Sequence, residues 1–306
     1  MYVDIVCEGG GVKGIALVGS INCLENYGYT FKKIAGTSAG AIIASLLAVG
    51  YSGEELKNIV LNLDYSKLIF NTKLNKFLST LKGGVNIFIK KGLYSSQNIE
   101  NYLSGLFAAK GKTKFKDISI NNQSPLKIIA SDITNKKLLI LPDDLTFYGI
   151  DPMEFQISKA VIMSINIPFY FTPYILRCNN EKNFIVDGGL LSNFPIWLFD
   201  TKEVPLWPTF GLRLKEDDSF QLKKRYSLFS YISDIIHTAF SHNEDIYLEN
   251  KDAIRTIDLP TLSIKSTNFN LNNSEVLTLY KSGYKTTENF INSWSFDYYI
   301  NRYRKS

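Results

Sequence analysis

A serine becomes an acyl-transfer nucleophile when the chain raises it on a sharp strand-to-helix turn, and that turn tolerates only small residues on either side. Gly36-Thr37-Ser38-Ala39-Gly40 has this pattern and follows the short apolar run Phe31 to Ala35. Upstream, Tyr2 to Cys7 reads as a short buried strand that runs into Gly9-Gly10-Gly11-Val12-Lys13-Gly14 and then into a helix ending near Gly28. A glycine-rich turn beside a serine can present backbone N–H groups to charge developing on a carbonyl oxygen, which is the work of an oxyanion hole. Together the two motifs point to acyl transfer at Ser38.

The glycine run is also formally Gly-x-Gly-x-x-Gly, so nucleotide binding is the first rival. A dinucleotide fold wants an acid about 20 residues further on, at the end of the second strand, to hold a ribose hydroxyl. Ala35-Gly36-Thr37-Ser38 occupies that place. A Walker loop wants Lys and Ser or Thr directly after its second glycine, where Ile15 and Ala16 stand instead. Nucleotide binding is disfavoured on both counts. The base that would activate Ser38 is less plain. Both histidines, His237 and His242, fall in a stretch from Tyr226 to Tyr247 with helical apolar spacing, where a lone histidine usually serves packing. Asp187, in Phe184-Ile185-Val186-Asp187-Gly188-Gly189, stands at the exit of a short apolar strand, where sites form in open α/β sheets. An ordinary turn aspartate before glycine would look the same.

With these motifs in this order, the chain resembles the patatin-like phospholipase family. The likeness rests on the glycine loop Gly9 to Gly14, the elbow Gly36 to Gly40 and Asp187-Gly188-Gly189. Ala130-Ser131-Asp132-Ile133 leading into Leu138-Leu139-Ile140, the helix through Ala160 to Ile167, and Pro208 to Arg213 add to it. The resemblance implies a three-layer α/β/α fold with a mostly parallel central sheet, and a Ser38–Asp187 dyad with no catalytic histidine. It implies oxyanion donors among Gly9, Gly10, Gly11, Val12, Gly14 and Ala39, with Gly36, Gly40, Gly188 and Gly189 shaping the turns. An aspartate is a weaker base than histidine by about 2.6 pKa units, roughly 3.5 kcal/mol, so burial has to raise its pKa. An α/β-hydrolase is the runner-up, since Ser38, Asp187 and His237 occur in its order; there, however, the serine usually follows several strands, and Ser38 follows two. A lipid-binding protein that keeps the fold without turnover is the non-enzymatic alternative. No calcium-binding loop is evident, so hydrolysis without metal or cofactor is expected.

The elements that must position these residues read as alternating strands and helices, which gives a parallel sheet with helices on both faces. Ser52-Gly53-Glu54-Glu55 is a capping box ahead of Leu56, Ile59, Val60 and Leu63, and a further helix is expected to start at Asp151-Pro152-Met153-Glu154. The 306 residues, 45% of them hydrophobic, suffice for a large core, and no linker or repeat divides them. The expectation is one elaborated domain over 1–306, with about 265–306 as a C-terminal helical extension and Glu216 to Arg225 as a surface loop. A separate C-terminal lobe is the alternative.

Cys7, Cys23 and Cys178 form no CxxC pair and suggest neither a disulfide framework nor a zinc site. Asp4 and Glu8 near the start, with no basic region, argue against a secretory signal, and a cytoplasmic protein is expected. The uncharged run Ile34 to Gly53 has the length of a membrane span, yet it contains the elbow and reads as a strand end and buried helix. Between Asp64 and Glu100 there is no acid, while Lys67, Lys73, Lys76, Lys82, Lys90 and Lys91 interleave with Phe70, Leu78, Leu81, Ile87, Phe88 and Ile89. Residues 65–99 read as a membrane-facing lid or, equally, as a solvated cap. The aromatic and basic tail, with Trp294, Tyr298, Tyr299, Arg302 and Lys305, allows membrane contact or a docked C-terminal element. Lys13 could steer an anionic group, face solvent or pair with an acid. A net charge of +5 is too mild to argue for nucleic acid. The expectation is a cytoplasmic hydrolase of lipid acyl esters, glycerophospholipids first, that meets the membrane surface peripherally; protein partners stay open.

Overall fold

The computed structural model describes residues 1–63, 91–215, 250–266 and 268–303. The first strand, β1 (Tyr2–Cys7), is apolar almost throughout and is buried from Val3 on, as a strand covered on both faces must be. Helix α1 (Ile15–Asn26) leads to β2 (Thr30–Thr37), which runs parallel to β1. Helices α2 (Ala39–Ala48) and α3 (Gly53–Asn62) follow; α3 opens on the expected capping box, in which Ser52 accepts from the Glu55 N–H and Glu55 accepts from the Ser52 N–H. After β3 (Gly92–Tyr94) and α4 (Gln97–Ala109), strand β4 (Leu126–Asp132) lies parallel to β2 and β5 (Lys137–Leu141) returns antiparallel. Helix α5 (Ile157–Ile165), β6 (Phe169–Phe171), β7 (Tyr174–Cys178) and β8 (Glu181–Asp187) come next. The described chain continues through β9 (Thr209–Lys215) and β10 (Thr256–Pro260) to α6 (Asn273–Ser293) and α7 (Phe296–Tyr303).

The main sheet has the order β10-β9-β1-β2-β4-β8-β7, with β5 also paired to β4, and its β10-β9-β1-β2-β4 body is parallel. The fold is α/β, with a mixed sheet, a mostly parallel core and helical segments on both sides. Successive residues of β1 show the two faces. Val3, Ile5 and Cys7 join the large core with α1, α2, α3, α4, α5 and α6, while Val6 joins Ala35, Phe194, Ile196 and Phe199 on the other side. Strands β2 and β4 are added to one side of β1 and β9 and β10 to the other. Winding therefore reverses at β1, and the carboxyl end of such a strand is where open α/β sheets form crevices.

One edge of β4 decides where the chemistry sits. Ile128 and Ile129 pair with Gly36 and Thr37 of β2, and on the opposite edge with Leu141 and Ile140 of β5. One residue further, Ala130 still pairs with β5 through Leu139, but Asp187 of β8 has replaced β2. β2 and β8 thus share one edge of β4 end to end, arriving from opposite directions.

The helix expected from Asp151 starts later, at Ile157. Residues 151–156 are drawn into other bonds: Asp151 Oδ1 accepts the Met153 N–H, and the Met153 and Phe155 carbonyls accept from Lys116 and Phe115. Those pairings hold the segment as a turn against 113–116. At the other end of the chain, α6 lies directly on α1. A Cβ on Gly19 would come within 2.0 Å of the Tyr280 carbonyl, and one on Gly283 within 1.9 Å of the Ala16 carbonyl. The absence of both side chains lets the helices touch backbone to backbone, and Thr287 Oγ1 reaches Ser20 Oγ at 2.6 Å beside them. Among the described residues no helix is long and apolar enough to cross a membrane.

Candidate active site

Ser38 closes β2 and caps α2 at φ 52°, a left-handed conformation that costs a residue with a Cβ energy and is kept only where surroundings enforce it. The surroundings are packed tightly. A Cβ on Gly36 would fall 2.3 Å from the Gly40 carbonyl, and one on Gly40 would fall 2.3 Å from the carbonyl of Cys7. The Ser38 N–H donates to Ser164 Oγ at 2.9 Å, and its carbonyl accepts from Ala41 and Ile42 as α2 begins.

Asp187 arrives at the same place along β8 and is fully buried. Its Oδ1 accepts the Gly189 N–H at 2.7 Å, and its own N–H donates to the Asn166 carbonyl at 2.9 Å. Burial pushes its carboxyl up to about 7, against the opposing pull of the Ser38 hydroxyl and of the Gly189 N–H. Among the described residues its Oδ2 makes no hydrogen bond of good geometry, although the Ser38 side chain is near enough to act on the carboxylate. Bonds of this kind are often long before substrate closes the site. Gly188 is needed where it stands, since a Cβ there would lie 2.3 Å from the Ile129 carbonyl.

The last turn of α5 braces both residues. Ser164, buried, takes the Ser38 N–H, and Asn166, two residues on, takes the Asp187 N–H. Asn166 is held in turn through its Nδ2, which donates to the Thr172 carbonyl at 3.0 Å.

The glycine loop lies against the serine, since a Cβ on Gly9 would stand 3.1 Å from Ser38 Cβ and one on Gly14 would stand 3.3 Å from Ala39 Cβ. Two of its N–H groups are taken by backbone carbonyls: Gly9 donates to Asn193 and Val12 to Ser266, both at 3.1 Å. The N–H groups of Gly10, Gly11 and Ala39 donate to no other described residue. Gly11 sits at φ 57°, with the Ser266 carbonyl 2.1 Å from where a Cβ would be. The loop is also clamped by residues the sequence reading did not single out as site residues. Asn193 Nδ2 donates to the Gly9 carbonyl at 3.1 Å and to Glu8 Oε1 at 3.2 Å, while Glu8 Oε2 accepts the Leu214 N–H. The one signal for Glu8 was an acid directly closing a mostly apolar strand. Lys13 is buried, which removes its solvent-facing reading.

His237 and His242 lie outside the described residues, as do residues 65–90 of the basic segment and Glu216 to Arg225. Lys91 is described and exposed. No group of three or more His, Cys, Asp or Glu that could hold a metal occurs among the described residues.

A serine on a strained elbow, a buried carboxylate poised near neutrality and a glycine loop with uncommitted N–H groups are together equipped for acyl transfer. Relatives agree. The chain is 37% identical over 300 residues, 97% of its length and all of the relative's, to the uncharacterized protein YqhO of Bacillus subtilis (strain 168). It is 30% identical over 198 residues, 64% of its own length and 62% of the relative's, to a probable lipid hydrolase, 463L, of invertebrate iridescent virus 6. Among solved structures, VipD from Legionella pneumophila matches in fold at a TM-score of 0.56 and 18% identity, over 95% of this chain and 67% of that one. The family model described as patatin-like phospholipase matches residues 5–200, a span that begins in β1 and takes in the glycine loop, the elbow and Asp187, and the chain belongs to that family.

Proposed function

We propose that this protein is a serine lipid acyl hydrolase of the phospholipase A type, cleaving fatty acyl esters of glycerophospholipids through Ser38 and Asp187. The observation that carries the reading is the convergence of a serine at φ 52° with a fully buried carboxyl raised to about 7. Membership of a phospholipase family and likeness to a relative named a lipid hydrolase support the lipid substrate.

In this mechanism Ser38 Oγ attacks the ester carbonyl and its proton passes to the Asp187 carboxylate. The N–H groups of Gly10, Gly11 and Ala39 hold the oxyanion. When the tetrahedral intermediate collapses, the lysolipid oxygen leaves with the proton from Asp187 and the acyl group stays on Ser38. Water then attacks the acyl-enzyme, gives a proton to Asp187, and Ser38 recovers it as the fatty acid departs. Substrate reaches the site from a membrane surface that the protein meets peripherally, from the cytoplasmic side. Incubating purified protein with a panel of phospholipids and identifying products by mass spectrometry tests this. Fatty acid and lysophospholipid should appear with wild type and not with Ser38→Ala. Turnover by Ser38→Ala at the wild-type rate, or no product from any lipid, would refute it.

A further inference from the structure

Strand β8 is antiparallel to β4, so from Asp187 it runs back past Asp132, beyond the carboxyl ends of the parallel strands. The β7–β8 hairpin therefore projects from the end of the sheet where Ser38 lies. Its turn, Asn179-Asn180, has φ 49° and 64°, the left-handed pair that a tight two-residue hairpin requires. The β4–β5 turn projects beside it, and the two are bonded together. The Ile133 N–H donates to the Phe184 carbonyl, the Phe184 N–H to Thr134 Oγ1 at 2.9 Å, and Asn135 Nδ2 to Asn183 Oδ1 at 2.8 Å.

The outer face of these joined tips has a distinctive chemistry. Leu176 and Asn183 turn inward, and the alternate residues form two directly opposed pairs on the exposed side, Ile175 with Phe184 and Arg177 with Lys182. Like charges directly opposite one another destabilise a strand pair. Lys91 places its Nζ 5.2 Å over the Phe184 ring, and Lys136 and Lys137 stand exposed on the neighbouring turn. None of these five cations is ion-paired within the described residues, and Glu181 is the exposed acid on the two tips. Ile133, 45% exposed, and Ile175, 41% exposed, lie among them.

We infer that the joined β4–β5 and β7–β8 tips are a docking surface for an anionic lipid bilayer. A repulsive pair kept at a cost to stability, with apolar side chains between the cations, fits a plane of negative headgroups above hydrocarbon. The inference rests on the hydrolase reading for its purpose, since docking here would bring bilayer lipid to the edge that carries Ser38.

The test compares Arg177→Gln/Lys182→Gln with Lys32→Gln/Lys33→Gln, a matched loss of charge near the start of β2 at the opposite end of the sheet. Each is measured for flotation with phosphatidylcholine vesicles, with and without phosphatidylglycerol, and for fluorophosphonate labelling in solution. The hairpin variant should lose about tenfold or more of its binding to anionic vesicles, an effect high salt reproduces on wild type. It should label as wild type does and be at least as stable, because a repulsion has gone. The control should bind normally. Equal binding by both variants, equal loss by both, or a wild type that ignores anionic vesicles overturns the inference; the last result would point to an acidic protein as partner. Failure of labelling in wild type would instead overturn the hydrolase reading.

Discussion

In the proposed mechanism Asp187 is the base, yet it is buried where a charge is costly. A carboxyl raised from 3.8 to about 7 by burial costs folding about 4 kcal/mol once it is ionised. The sign follows from linkage. Between those values the folded protein holds a proton that the unfolded chain has lost, so this group's stabilisation is complete below 3.8 and is gone above about 7. Activity runs the other way, because the base works only when deprotonated. For a soluble ester, kcat/KM should rise with pH through an apparent pKa near 7 and then level off. Asp187→Asn should lower turnover by about 10² or more yet melt higher than wild type at pH 8, with the gain shrinking toward pH 5. A flat pH profile, or a variant less stable at every pH, would contradict this. Ser38 was legible in the sequence because an elbow is local: five consecutive residues must fit one turn. Glu8, Asn193 and Ser164 were not, since each acts on a residue from a distant part of the chain and has an unremarkable sequence neighbourhood.

At the scale of elements, the last turn of α5 couples the proposed nucleophile and base through one hydrogen bond to each backbone. Ser164→Ala would leave the buried Ser38 N–H without an acceptor, at a cost of about 1–3 kcal/mol, in a turn already held at positive φ. We expect kcat and the fluorophosphonate labelling rate to fall about tenfold with KM little changed, alongside a lower Tm. A drop in Tm with full kcat would make Ser164 structural only. The sequence did announce this helix, but not its limits. The Asp-Pro start at 151 looks like a helix signal, and only the competing bonds to 113–116 reveal a turn. Nor does sequence reading alone show β2 and β8 meeting end to end on β4, because register is a property of the sheet.

For the whole molecule, the segment after β10 supports the proposed oxyanion loop. Ser266 holds the glycine loop through Val12, and the helix that follows, α6, is locked to α1 at Gly19 and Gly283. Gly283→Val would drive a side chain into the Ala16 carbonyl. It should cost several kcal/mol in denaturant unfolding, or abolish folding, where the same change at the open Gly105 costs little. Equal stability of the two variants would show that α6 can lift off without consequence. The central claim is that one carboxylate, without histidine, serves as the base for Ser38. It is tested most directly by measuring fatty acid release from a glycerophospholipid by wild type, Asp187→Asn and His237→Ala/His242→Ala. Release by wild type and the double histidine variant, with loss in Asp187→Asn, is the result expected; an inactive but folded histidine variant beside an active Asp187→Asn would contradict it.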